Sequence, residues 1–281
     1  MYNHPVNTLV IVGVGLIGGS VGLAARARGV ACRIVGVGRT VESLAAATKA
    51  GCIDEGTTDL SAAARDADLV LVCSPVDRIA DHVRTAADAC RPGTILTDAG
   101  STKDTIVRTL DGALPAGAHF VGGHPLAGSE KRGPEHARAE LFAGRLVILT
   151  PTPRSNADAV EQVGSFWRTL GSRVLHLRPQ DHDDALAVTS HLPHLAAAAV
   201  ANTLPHHLNS LTATGFRDTT RVAAGDPDLW AAIFAQNRGA VLAALGKFEA
   251  QLTDFRNAIE HDDMTTLRKL LAEAKAVRDN L

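Results

Sequence analysis

At 281 residues the chain can bury a sizeable core, either as one large domain or as a nucleotide-binding-sized unit plus a smaller one. Its 28 lysines and arginines nearly balance 30 aspartates and glutamates, giving a formal net charge of -2, which excludes a global basic field for nucleic acid or anionic lipid and points to a small-molecule partner. Residues 1–8 contain no basic segment followed by an apolar one, and no run of about eighteen apolar residues occurs, so neither secretion nor membrane spanning is expected and the chain reads as cytoplasmic.

Short β-rich runs alternate with helix-like stretches through the first half, at residues 9–13, 33–37, 69–73, 94–98, 119–121, 146–149 and 174–177. Such alternation predicts parallel βαβ units, and the nearly continuous apolar character of the runs predicts strands covered on both faces. The cysteines of this half, Cys32, Cys52, Cys73 and Cys90, lie far apart without a C-x-x-C pair and read as reduced core thiols, not as a disulfide frame or zinc site. After Arg178-Pro179 no β-rich segment follows. The expected fold is therefore α/β, a doubly wound parallel sheet over residues 1–178 followed by an all-helical domain over residues 179–281. In that domain Val241, Leu245, Phe248, Leu252, Phe255 and Ile259 alternate spacings of four and three along one helical stripe, which suits either an internal bundle core or a homodimer seam. Met264, Leu267, Leu270, Leu271, Ala274 and Val277 form a second amphipathic helix, with Asp262 or Asp263 as its cap.

The first strand runs into Gly13-x-Gly15-x-x-Gly18, and the residues that follow can form a helix. Gly13 allows the tight turn, Gly15 lets the backbone approach a pyrophosphate, Gly18 permits close packing, and the free N–H groups of the helix N-terminus face the anion. This is a dinucleotide-binding Rossmann signature, and Gly13, Gly15, Leu16, Ile17 and Gly18 are the expected contacts of its turn. Where NAD proteins usually carry an acid, at the end of the second strand, the chain reads Val37-Gly38-Arg39-Thr40. Arg39 with the Thr40 hydroxyl favours the 2'-phosphate of NADP, while Glu42 leaves NAD open. Ser74 and Pro75 close the strand at residues 69–73 and fall where a strand of this fold ends over its cofactor.

Three further segments carry polar groups that could do chemistry. Ser101, in Asp98-Ala99-Gly100-Ser101-Thr102-Lys103, is either a helix cap or a site residue. His124, before Pro125 and flanked by glycines, reads as an exposed loop base and not as a core histidine. Ser190-His191-Leu192-Pro193-His194 falls at an expected helix break, and its two histidines lack the carboxylate or cysteine that a metal site needs, so no metal is expected.

Taken in order, these motifs resemble the prephenate and arogenate dehydrogenases of tyrosine biosynthesis. The resemblance spans nearly the whole chain: the glycine fingerprint, Asp98 to Lys103, Gly123-His124-Pro125-Leu126-Ala127-Gly128-Ser129, Ser190 to His194, and Gly215-Phe216-Arg217-Asp218-Thr219-Thr220-Arg221 followed by Asp226-Pro227 and Trp230. It implies an NAD(P)-dependent oxidative decarboxylation of prephenate or arogenate, driven by aromatisation of the ring. It further implies His124 as proton acceptor, Ser101 as its partner on the substrate hydroxyl or in aligning the imidazole, and Arg221 as the clamp on a substrate carboxylate. Ser190 and His194 are implied to bind near substrate and nicotinamide, with Trp230 walling the pocket; a homodimer through the helical domain is the expectation that the apolar stripe at residues 241–259 carries. Two other readings compete. A β-hydroxyacid dehydrogenase needs a lysine early in the helical domain, and residues 181–209 contain none; a silent NADP-binding sensor would bind the cofactor without reducing it.

Overall fold

The computed structural model describes residues 6–129 and 131–281. β1 (Val6–Val12) sends Leu9 and Ile11 into one apolar layer and Val10 and Val12 into the other. That division follows from the two-residue period of a strand, and because helices cover both faces the run is apolar throughout. The chain continues through α1 (Leu16–Ala27), β2 (Ala31–Val37), α2 (Val41–Lys49), β3 (Glu55–Thr57), α3 (Leu60–Ala64), β4 (Leu69–Val72), α4 (Ile79–Ala89), β5 (Ile95–Asp98), α5 (Asp104–Leu110), β6 (His119–Pro125), β7 (Leu146–Thr150), α6 (Ala157–Thr169) and β8 (Arg173–His176). The strands form one sheet in the order β3-β2-β1-β4-β5-β6-β7-β8. The first six in that order pair in parallel, β6 and β7 pair antiparallel, and β8 runs parallel to β7. β3 has no sequence signal, since Glu55-Gly56-Thr57 lacks any apolar residue; it becomes a strand by pairing with the edge of β2. Cys32 is exposed, because β2 starts at the rim of the sheet, and so departs from the expectation of four core thiols; all four cysteines are free.

From Pro179 onward the described residues are helical: α7 (Pro179–Leu186), α8 (Leu192–Asn202), α9 (Thr214–Thr220), α10 (Pro227–Gln236), α11 (Arg238–Glu260) and α12 (Met264–Asp279). The expected break at residues 190–194 does not occur. A π-helical turn (Ala187–His191) carries α7 into α8, and Pro193 falls in the first turn of α8, where a missing N–H costs nothing. Asp263, not Asp262, caps α12, accepting from the amides of Thr265 and Thr266 at 3.1 and 2.9 Å.

The core of the helical part is small, with Ala187, Val241 and Ala244 buried among Leu192, Leu195 and Phe234. The stripe on α11 therefore changes character along its length: Val241 is buried, whereas Leu252 and Ile259 are 52% and 62% exposed. Docking onto the sheet domain is made by α10, whose Ile233 and Trp230 join the apolar layer of α4 and α5. The Gln236 amide fastens the same junction, accepting from Thr102 Oγ1 at 2.6 Å and donating to the Val76 carbonyl at 2.7 Å.

Candidate active site

β1 ends in a turn that only glycine can make. Gly13 has φ +91°, and a Cβ there would lie 2.9 Å from the Cys73 carbonyl oxygen; a Cβ on Gly18 would lie 2.2 Å from the Gly13 carbonyl oxygen. No side chain caps α1 at Gly15, so the first amides of that 12-residue helix remain available to an anion, and the space beside Gly15 is open. Those are the requirements of a dinucleotide pyrophosphate, and the residues present fit it. Leu16 is buried beneath the turn and Ile17 is half-buried beside it. Across the crevice, Ser74 Oγ is 2.8 Å from His82 Nδ1 of α4, and Pro75 is exposed at the end of β4. Thr40 caps α2, its Oγ1 accepting from the Ser43 amide at 3.2 Å, so the exposed Arg39 is the group left to face a ribose substituent.

His124 lies near the end of β6, not in an exposed loop as its glycine flanks suggested, and is only 8% exposed. The pairing of Gly123 and His124 with Leu149 and Ile148 on β7 draws the segment into the sheet. Its Nδ1 is 2.8 Å from Nε2 of His182 on α7, and His182 Nδ1 is 2.7 Å from Oδ1 of Asp183. Asp183 in turn accepts the amides of Lys103 and Asp104 at 2.8 and 2.9 Å, capping the N-terminus of α5 from another element. Asn237 donates to the Asp183 carbonyl at 2.7 Å and lies 3.1 Å from His191 Nδ1. Beside this chain Lys103 and Asp98, both fully buried, form an ion pair, and Asp98 also accepts the amides of Gly100 and Gly123 at 2.9 and 3.0 Å.

Burial, with the neighbours His182, Lys103 and His191 adding to it, holds the His124 imidazole well below the usual histidine range. Burial likewise lowers His182 and His194 and brings His191 down to about 4, against the pull of Asp183 on His182 and His191. Burial and the charge of Asp98 push the Cys73 thiol up, which disfavours its thiolate.

A second group of residues adjoins the first through His191. Trp230 lies edge-on to His191, with ring centroids 6.1 Å apart, and stacks on His194 at 3.6 Å with 13° between planes. His194 Nδ1 is buried with no hydrogen-bond partner among the described residues, which leaves an imidazole nitrogen for a ligand to meet. Ser190 is half-buried in the π-helical turn, and Arg221 is exposed in the short turn Arg221–Ala224. Arg132, in the loop that follows His124, pairs with Asp226 at the start of α10 and ties that loop to the helical part.

Ser101 is half-buried and caps no helix, since Lys103 precedes α5. Among the described residues, the side chain within hydrogen-bond distance of the His124 ring is His182. Sequence reasoning did not single out His182, Asp183, Lys103, Asp98 or Asn237. One signal was present: His182, Asp183, Leu186 and Ala187 share the buried face of a helix otherwise rich in acids, an unusual place for a histidine next to a carboxylate.

A six-strand parallel core in the order 3-2-1-4-5-6, a pyrophosphate turn after β1 and a buried histidine at the end of β6 define a dinucleotide-dependent dehydrogenase with its chemistry at the carboxyl ends of the strands. Residues 21–176 match the family described as prephenate dehydrogenase, nucleotide-binding domain, and residues 178–273 match prephenate dehydrogenase, dimerization domain. Cyclohexadienyl dehydrogenase of Zymomonas mobilis is 36% identical over 96% of this chain and 94% of its own length, and prephenate dehydrogenase of Bacillus subtilis is 32% identical over 99% and 77%. Among solved structures, prephenate dehydrogenase from A. aeolicus in complex with hydroxyphenyl propionate and NAD+ superposes with a TM-score of 0.92 at 34% identity, covering 99% of both chains. Synechocystis arogenate dehydrogenase superposes at 0.80 with 29% identity, covering 97% of this chain and 99% of that one. The chain belongs to the prephenate dehydrogenase family. Its activity is that of the family, an NAD(P)-dependent oxidative decarboxylation of prephenate or arogenate in tyrosine biosynthesis.

Proposed function

We propose that the protein oxidises prephenate, arogenate or both with His124 as proton acceptor, Arg39 directing a preference for NADP over NAD, and a homodimer built through the helical domain. The observation that carries this reading is His124 itself, an imidazole kept neutral by burial at the carboxyl end of β6, with Nδ1 occupied and one nitrogen left to accept a proton. When bound, the nicotinamide supplies the hydride acceptor. His124 takes the proton of the substrate ring hydroxyl at its free nitrogen, Ser101 contacts the same hydroxyl, and Arg221 holds a substrate carboxylate through its planar fork. Ser190 and His194 line the pocket and Trp230 walls it through the stack on His194, which excludes water from that side. With loss of carbon dioxide the ring becomes aromatic, so the residues have only to orient, accept one proton and hold anions. Domain boundaries at residues 1–178 and 179–281 accord with the end of β8 at His176 and the start of α7 at Pro179.

The test is the initial rate at 340 nm with prephenate and arogenate, each paired with NAD and with NADP. A clear rate in at least one pairing is expected. No rate in any, with NADP still bound, favours the sensor reading. For Arg39→Ala, the Kd for NADP is expected to rise on the order of tenfold, the loss of one charge-assisted contact, while that for NAD stays put; an unchanged NADP Kd removes the phosphate role.

A further inference from the structure

We infer that Asp183 and His182 of α7 are positioning residues that set the tautomer of His124, putting its proton on Nδ1 and leaving Nε2 as the basic atom. The inference rests on His124 being the proton acceptor.

The assignment follows from counting donors and acceptors along a buried chain. Both oxygens of Asp183 accept backbone amides at the start of α5, from Lys103 and Asp104 at 2.8 and 2.9 Å, so the carboxylate is an acceptor on both sides. Oδ1 has a further neighbour at 2.7 Å, His182 Nδ1, which must therefore donate. A neutral imidazole has one N–H, and His182 spends it on Asp183. Its Nε2 is then an acceptor, and the group facing it at 2.8 Å is His124 Nδ1, which must carry a hydrogen. His124 Nε2 is left with a lone pair.

One other arrangement satisfies the same distances, an imidazolium at His182 donating in both directions. The surroundings oppose it. His182 is fully buried and Lys103 lies nearby, and these outweigh Asp183 and Asp98, which favour the charged form. His124 faces His182 from α7, Lys103 from the segment before α5 and His191 from the π-helical turn, and each of these disfavours a second positive charge there. The backbone of α7 is held as well, by Asn237 donating to the Asp183 carbonyl at 2.7 Å.

During turnover the substrate proton arrives at His124 Nε2, while the Nδ1 hydrogen stays on its bond to His182. The imidazolium that forms is linked through one neutral ring to the Asp183 carboxylate. β6 thus supplies the base and α7, across the junction, supplies its proton arrangement.

The decisive variant is Asp183→Asn. Oδ1 takes both His182 Nδ1 and the Lys103 amide, so either rotamer of the Asn sets its NH2 against a backbone amide; with the NH2 at the Oδ1 position it donates to His182 Nδ1, reverses the chain and puts the His124 proton on Nε2, where it blocks proton acceptance. Expected are a fall in kcat on the order of a hundredfold or more, substrate KM and cofactor Kd within about threefold of wild type, and a change of His124 Nε2 from bare to protonated in the 15N spectrum of ring-labelled protein. If Asp183→Asn does not fold, the pair His182→Gln and His182→Phe carries the test: glutamine keeps an acceptor for His124 Nδ1 and should hold at least about ten times the kcat of the phenylalanine variant. Wild-type kcat in an Asp183→Asn protein whose 15N spectrum shows His124 Nε2 protonated, or equal kcat in the His182 pair, overturns the inference; an unaltered spectrum means that the Asn oxygen has kept the Oδ1 position, and the His182 pair then carries the test. If His124→Asn is inactive while the other variants turn over normally, the positioning role alone falls. If His124→Asn turns over normally, the reading of His124 as acceptor falls with it.

Discussion

Burial of His124 governs the acid side of the pH profile at the scale of the single residue. An exposed loop histidine would titrate near the free value of about 6.5. In the folded chain the imidazole is held well below that, chiefly by desolvation and then by His182, Lys103 and His191. The neutral, accepting form is therefore retained as pH drops through 6.5, and kcat/KM, which reports the free enzyme, should stay level there and fall only at lower pH. A profile of kcat/KM between pH 5 and 9 checks this; an acid limb centred at or above about 6.5 contradicts it.

Single elements are held in place by a few buried polar groups. The segment between β5 and α5 is fixed by the Lys103–Asp98 pair, with Asp98 also taking the amides of Gly100 and Gly123 and so tying β5 to β6 just before His124. Lys103→Met keeps the bulk of the side chain and leaves Asp98 as an uncompensated buried charge. A loss of about 3–5 kcal/mol in unfolding free energy by urea titration is expected, because removing one partner exposes the other to the full desolvation cost. Asp98→Asn in the same chain should recover part of it; a loss below about 1 kcal/mol for Lys103→Met would mean the pair contributes no more than a surface bridge.

Across the whole molecule the buried histidines act together on stability. His124, His182, His191 and His194 all have folded-state values below the unfolded one, with His191 at about 4. Below pH 6.5 the unfolded chain binds protons that the native state refuses, so the stability present above that pH is lost as pH falls. Each such histidine contributes a slope of up to about 1.4 kcal/mol per pH unit, which for His191 persists down to about pH 4. Tm should therefore fall between pH 7 and 5, before carboxylates titrate, and a flat Tm over that window contradicts the burial. The helical part, for its part, leaves Leu242, Leu252, Ile259, Leu271 and Val277 more than half exposed on α11 and α12, while its own buried core is three residues. These side chains are the ones the proposed homodimer would cover. Leu252→Asp with Ile259→Asp should shift sedimentation from dimer to monomer; a wild-type chain that sediments as a monomer at micromolar concentration rules the dimer out.

The parallel core of the sheet, the glycine turn, the change to helix at Pro179, and His124 as a residue to watch are legible in the chain alone, because each depends on neighbours close in the chain: side-chain period, a required positive φ, a proline at a helix start. β3 escaped notice because an edge strand of three polar residues exists only through its pairing with β2. The environment of His124 comes from packing between distant parts of the chain. Its partners lie 58 and 59 positions away on α7 and its neighbouring cation Lys103 comes from the segment before α5, so neither its burial nor the bond to His182 leaves a mark on local spacing. The same holds for the α11 stripe, whose even periodicity hides the change from buried Val241 to exposed Leu252 and Ile259, since that change is set by which other helices pack against it.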